Sequence, residues 1–228
     1  MAIILNIDTA TETASVSLAM EGKIIGSASN PVQKEHASWV HTAIKNLLKD
    51  QQLSVKEMDA IAVVAGPGSY TGLRVGLSTA KGFCYTMRKP LILLNSLYVL
   101  AKAITYKLNE MDEGHKMLIA PMIDARRLEV FTALYSATLE ELISPGPQIL
   151  TVESFKDELE VSKVIFAGSG SGKWNKMVQH ANAIFMESTD NTKSMAEQSY
   201  DFYIQKKFAD IAYAEPFYLK EFYNPALR

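Results

Sequence analysis

The sequence predicts an α/β protein made of two related lobes, and two patterns carry that expectation. First, residues 60–65 (AIAVVA) read as a buried strand that enters a glycine turn, Gly66-Pro67-Gly68, and then a segment with helical spacing. Second, the chain twice shows an apolar strand ending in aspartate, a short turn and an alternating return strand. The pairs are 2–8 with 15–20 and 117–124 with 129–135. The repeat is one of pattern, without sequence identity. Between the two halves stands a polar stretch, NEMDEGH at 109–115, which marks the lobe boundary and gives lobes of 1–109 and 110–228.

The 228 residues suit one large domain or two small ones. A composition of 48% hydrophobic and 21% charged residues is ordinary for a soluble globular protein. The single cysteine, Cys84, excludes an internal disulfide and fits a reducing compartment. No apolar run reaches about 18 residues, so no membrane span is expected. Met1 leads straight into an apolar strand without a basic stretch, so no signal peptide is expected and the cytoplasm follows. Lys plus Arg number 23 against 25 Asp plus Glu, a net charge of −2 that predicts no strong non-specific grip on nucleic acid.

In chain order, 15–20 and 23–29 alternate about Glu21-Gly22 as a hairpin would. Residues 35–51 form an amphipathic helix whose apolar stripe is Val40, Ala43, Ile44, Leu47 and Leu48, with Trp39 at its edge. Ser54 to Glu57 has the capping-box pattern. Ser69 or Thr71 caps the central helix. Three glycines, Gly72, Gly76 and Gly82, each cost that helix about 1 kcal/mol relative to alanine, so it needs tertiary contact to form. Gly72, Gly76, Thr79 or Ala80, and Phe83 share one face. That face packs on the chain's own sheet or on another subunit. Residues 91–94 form a strand, with Ser96 capping a helix to about 107. Residues 144–147 (SPGP) read as a loop, 151–159 as a short helix capped by Thr151, 163–167 as a strand and 194–208 as a last helix. The aromatic tail, 214–222, is held against the body.

Few residues offer chemistry. Asp8 and Asp124 stand at strand–turn junctions, where a carboxylate can meet a phosphate or a metal, and they pair if the lobes face each other. Gly66, Gly68 and Ser69 form a turn at a helix N-terminus, a shape that suits an anion. Arg126 and Arg127 bind an anion or pair with Asp124 or Glu129. GSGSGK at 168–173 departs from a phosphate-binding loop, with Ala167 where glycine is needed and Trp174 where Ser or Thr is needed, so a plain strand-to-helix turn fits better. His36 and His41 are five apart, whereas paired helical ligands favour four, so surface or interface roles suit them better than metal. Cys84 reads as core.

Four stretches resemble the TsaB (YeaZ) family of tRNA threonylcarbamoyladenosine biosynthesis: ILNIDTATETASVSL at 4–18, GPGSYTGLRVGLSTAKGF at 66–83, MIDARRLEVFTALY at 122–135 and PFYLK at 216–220. The resemblance spans nearly the whole chain. It implies an actin-like (ASKHA) fold of two ribonuclease H-like lobes, the second reduced. It also implies a chain with no catalytic residues and no metal of its own. The paralogue TsaD does the transfer and holds a metal with a helical histidine pair spaced by four, a spacing that His36 and His41 miss.

The implied partners are TsaD, docked through packed helices, the ATPase TsaE, and a second copy of the chain when it is alone. tRNA is met only through the complex, and ATP or ADP would sit at the partner interface. The helices at 35–51 and 72–87 match the docking elements. The candidate interface is therefore His36, Trp39, Val40, Ala43, Leu47, Gly72, Arg74, Gly76, Thr79, Ala80 and Phe83. On that reading Gly76→Leu abolishes docking and leaves a folded chain. A glycoprotease-like peptidase, which needs a metal or nucleophile, and a sugar kinase-like enzyme, which needs two phosphate loops, are the alternatives.

Overall fold

The computed structural model describes residues 1–108, 117–186 and 190–219. The polar stretch at 109–115 and the last residues of the tail lie outside them. The first sheet is built from β1 (Ile3–Asp8), β2 (Ala14–Met20), β3 (Lys23–Asn30), β4 (Ala60–Gly66) and β5 (Leu91–Asn95), in the order β3-β2-β1-β4-β5. The second holds β6 (Met117–Asp124), β7 (Glu129–Ser136), β8 (Glu141–Ile149), β9 (Lys163–Ala167) and β10 (Ala183–Met186), in the order β10-β9-β6-β7-β8. Read from the other edge, the second order repeats the first strand for strand. The pairing directions agree too: β1 and β6 are antiparallel to β2 and β7, and parallel to β4 and β9. The two lobes are therefore one topology used twice, the ribonuclease H-like repeat of an actin-like fold.

On one face of the first sheet lie α1 (His36–Asp50) and α2 (Tyr70–Met87). Val40, Ile44 and Leu47 of α1 and Leu77, Ala80 and Cys84 of α2 close over Leu5, Ile7, Val16 and Leu18. Each large apolar side chain buried there contributes roughly 1.5–3 kcal/mol. Their counterparts in the second lobe are shrunken: α4 (Lys156–Val161) has six residues and α5 (Ser171–Asn175) five. Trp174, fully buried against Phe155 and Phe166, fills the space a longer helix would take.

The other faces are covered by exchange. Helix α3 (Ser96–Leu108) follows the first sheet but packs on β6 and β7, adding Leu97, Leu100 and Ile104 to the core around Ile119 and Ile165. Helix α6 (Thr192–Ile204) follows the second sheet but crosses β1, β2, β3 and β5 of the first, where Met195 meets Ile4, Val64 and Ile92. A cut at 109/110 therefore does not separate two packing units: each half carries a helix that the other half's sheet needs.

Local expectations met mixed outcomes. The capping box is present: Ser54 Oγ accepts from Lys56 N, and Ser54 N donates to Glu57 Oε2 at 2.7 Å. Ser69, not Thr71, caps α2 by accepting from Gly72 N at 3.3 Å. At α3 the cap is Asn95, whose Oδ1 accepts from Leu97 N at 2.9 Å, rather than Ser96. Thr151 caps nothing; its own N–H donates to Ser154 Oγ, and the helix starts later. The predicted loop at 144–147 lies within β8, where Pro145 and Pro147 are tolerated because β8 is an edge strand with one neighbour. The last helix ends at Ile204, short of Phe208.

Candidate functional site

The β1–β2 turn fixes the position of α2. Ser69 N donates to Ala10 O at 2.7 Å, and Thr9 Oγ1 donates to Gly72 O at 2.6 Å. A β-carbon on Gly72 would fall inside 3.0 Å of Thr9 O, and one on Gly76 inside 3.0 Å of Thr9 Oγ1. Gly68 meets Ala10 O in the same way. These glycines let α2 lie against its own lobe.

That finding corrects the interface expected from sequence. Gly72, Gly76, Thr79 and Ala80 are buried within the chain, as are His36, Val40, Ala43 and Leu47. Trp39 and Phe83 are half-buried against the same core. Of the expected set, Arg74 alone is exposed. The physical reason is that an apolar or small-residue face marks what must be covered, and the sheet covers it. Gly76→Leu therefore disrupts folding rather than docking alone. The outer surface of the helix pair is instead Ala37, His41 and Lys45 on α1 and Ser78, Gly82 and Tyr85 on α2. Among the described residues, a β-carbon on Gly82 would meet nothing within 4 Å.

The lobes face each other across a cleft. A cavity of about 870 Å³ is walled by Gly68, Ser69, Tyr70 and Lys34 from one side and by Asp124 and Arg126 from the other. An adjoining cavity of about 480 Å³ is walled by Asp8, Ser96, Gly168, Asp190 and Thr192. The cleft thus gathers Asp8, Gly68, Ser69, Asp124 and Arg126 from the anion set. It omits Arg127 and Gly66; the latter is buried at the end of β4, beside the Phe217 carbonyl. Its combined size suits a ligand as large as a nucleotide.

Several side chains singled out as chemistry-bearing have structural partners. Asp124 pairs with Lys173 at 2.8 Å rather than with an arginine, and accepts from Arg126 N at 2.6 Å. Lys173 also donates to Glu129 O at 3.1 Å, so the lysine of GSGSGK ties its loop to the β6–β7 turn. Gly168 takes φ +105°, and a β-carbon added there would fall inside 3.0 Å of Met122 O, so the strand-to-helix turn sits close on β6. His36 Nε2 bonds Glu12 O at 3.1 Å, and burial lowers its pKa. Burial pushes the Cys84 thiol up to about 12, far from thiolate reactivity at neutral pH. Among the described residues no three His, Cys, Asp or Glu side chains cluster as metal ligands, and no helix is long and apolar enough to cross a membrane.

Asp8 is different. It is only 6% exposed, accepts a hydrogen bond from Ala10 N at 2.9 Å, and burial raises its pKa from 3.8 to about 6. Well below 3.8 the carboxyl is neutral in both folded and unfolded chains and costs nothing extra. As pH rises from 3.8 towards 6 the unfolded chain releases this proton while the folded chain keeps it, so stability falls across that window and levels off above 6, where the folded chain holds a buried charge. Asp8→Asn, which keeps the Ala10 bond, is expected to stabilise the chain at pH 7.5 by up to about 3 kcal/mol, with the gain gone near pH 3. Denaturant melts of both proteins across pH 3–8 check this; a full gain that persists at pH 3 contradicts it.

The paired lobes and their shared cleft define an actin-like α/β protein. Its relatives narrow that class. The TsaD family (tRNA N6-adenosine threonylcarbamoyltransferase) matches residues 24–219. The tRNA threonylcarbamoyladenosine biosynthesis protein TsaB of Bacillus subtilis is 29% identical over 182 residues, 77% of this chain and 75% of that one. TsaB of Escherichia coli is 26% identical over 225 residues, 95% of this chain and 94% of its own length. The structure of YeaZ from Pseudomonas aeruginosa superposes with a TM-score of 0.76 at 24% identity, covering 96% of this chain and all of that one. The chain belongs to the TsaD-like family and, within it, to the TsaB (YeaZ) branch.

Proposed function

We propose that this chain is a non-catalytic scaffold that activates a TsaD-type subunit in forming threonylcarbamoyladenosine on tRNA. The observation that carries this reading is the end-to-end match to relatives named as TsaB biosynthesis proteins. The engagement of Lys173 by Asp124 and the inert state of Cys84 support an accessory role. Docking uses the outer face of the α1–α2 pair, around His41, Lys45, Ser78, Gly82 and Tyr85. The same face joins two copies when the chain is alone. TsaE joins the assembled pair, and ATP or ADP sits where the cleft meets the partner, near Arg126 and the first turn of α2. A net charge of −2 is consistent with tRNA held by the complex rather than by this chain. The complex works in the cytoplasm. An omission experiment tests the role: tRNA modification by the cognate TsaD and TsaE is measured with and without this chain. A large loss on omission is expected, and full modification without the chain refutes the reading.

A further inference from the structure

The stretch PFYLK, one of the four that resemble the family, enters none of the roles above. Its described part, 216–219, ends a segment that doubles back along α2. After α6 the chain rounds the sheet edge, where Ala209 N donates to Leu91 O at 2.8 Å. Ala214 is buried, and its carbonyl accepts from Lys81 Nζ at 3.1 Å. Phe217 N donates to Ala65 O at 2.8 Å, while its side chain is 38% exposed. Tyr218, 40% exposed, accepts from Arg74 Nε at 3.1 Å and lies against Tyr70 with ring centroids 5.5 Å apart. Arg74 is at the same time 4.0 Å above the Tyr70 ring.

We propose that residues 215–219 form an autoinhibitory strap, with Tyr218 occupying on α2 the ground that a TsaD-type partner takes on docking. This rests on the docking role of α2 proposed above. Three observations carry it. Arg74 and Tyr70 are an exposed arginine and tyrosine on that helix, the side-chain types that most often dominate binding energy, and the tail already engages both. The engagement seen among the described residues lies at the surface: a main-chain hydrogen bond and a Tyr–Arg–Tyr cluster, which a docking surface can displace. The anchor at Ala214 and Lys81 lies one step before the strap, so release needs no unfolding of the core. A segment held this way lowers partner affinity by the fraction of time it is closed.

The test uses the full chain with two point variants, Tyr218→Ala and Phe217→Pro; the second removes the N–H that bonds Ala65. Affinity for the cognate TsaD is measured by calorimetry, with thermal melts confirming that each variant is folded. Both variants are expected to bind about tenfold tighter than the parent chain. Unchanged or weaker binding overturns the strap, the latter by making Tyr218 part of the interface. If parent and variants alike fail to bind, the docking role of α2 falls and the strap falls with it.

Discussion

Gly72→Ala is expected to cost about 4 kcal/mol or more, close to the whole stability of an ordinary domain. One methyl group suffices because its neighbour is main chain: the Thr9 carbonyl, which cannot retreat without pulling the end of β1 from the sheet. The shift also strains the Thr9 Oγ1 bond to Gly72 O. Gly82→Ala, ten residues further along the same helix, is the internal control. Its new methyl group meets open space, so it should gain about 1 kcal/mol from helix propensity alone. Urea midpoints of the two variants should move in opposite directions. A Gly72→Ala chain as stable as the parent contradicts the close approach of α2 to the β1–β2 turn.

The second large effect concerns the exchanged helices. Expressed alone, residues 1–109 should not give a cooperatively folded lobe. They lack α6, so Ile4, Val64 and Ile92 lose the cover that Met195 and its neighbours supply. At roughly 1.5–3 kcal/mol for each large side chain, that exposure rivals the stability of a domain. Residues 110–228 fail for the reciprocal reason, lacking Leu97, Leu100 and Ile104 of α3 against Ile119 and Ile165. Co-expression of the two fragments should restore a melting transition. Circular dichroism melts of each fragment, alone and together, read this out; a cooperative melt from 1–109 alone contradicts the exchange.

Much of the architecture was legible in the sequence because strand and helix periods are local. The two aspartate-ended strands, the return hairpins, α1 and a cap at Ser69 or Thr71 all follow from patterns within a few residues. The strands β8 and β10 were not legible: β8 contains two prolines that only an edge position excuses, and β10 is four residues long. The exchange of α3 and α6 was invisible because an apolar stripe says that a face is covered and never by what. The same limit misplaced the interface. Gly72 and Gly76 signalled a close approach, which is real, but the approaching backbone belongs to the same chain. Exposed Gly82, where an added β-carbon meets nothing within 4 Å among the described residues, carried the opposite message and could be told apart only once the β1–β2 turn was placed. In the cleft, Asp8 was found by its place at the end of β1. Its burial, and the capture of Asp124 by Lys173 from a distant loop, required the fold.

The central claim is that the chain docks a TsaD-type subunit through the outer face of α1 and α2. Size-exclusion chromatography with light scattering, run on the chain alone and mixed with its cognate TsaD in the presence of ATP, tests it most directly. Docking through this face is expected to show as a self-dimer that converts to a mixed complex, which is lost when Gly82 and Ser78, both exposed, are changed to arginine. A mixture that elutes as two separate species, or a mixed complex untouched by those changes, would contradict it.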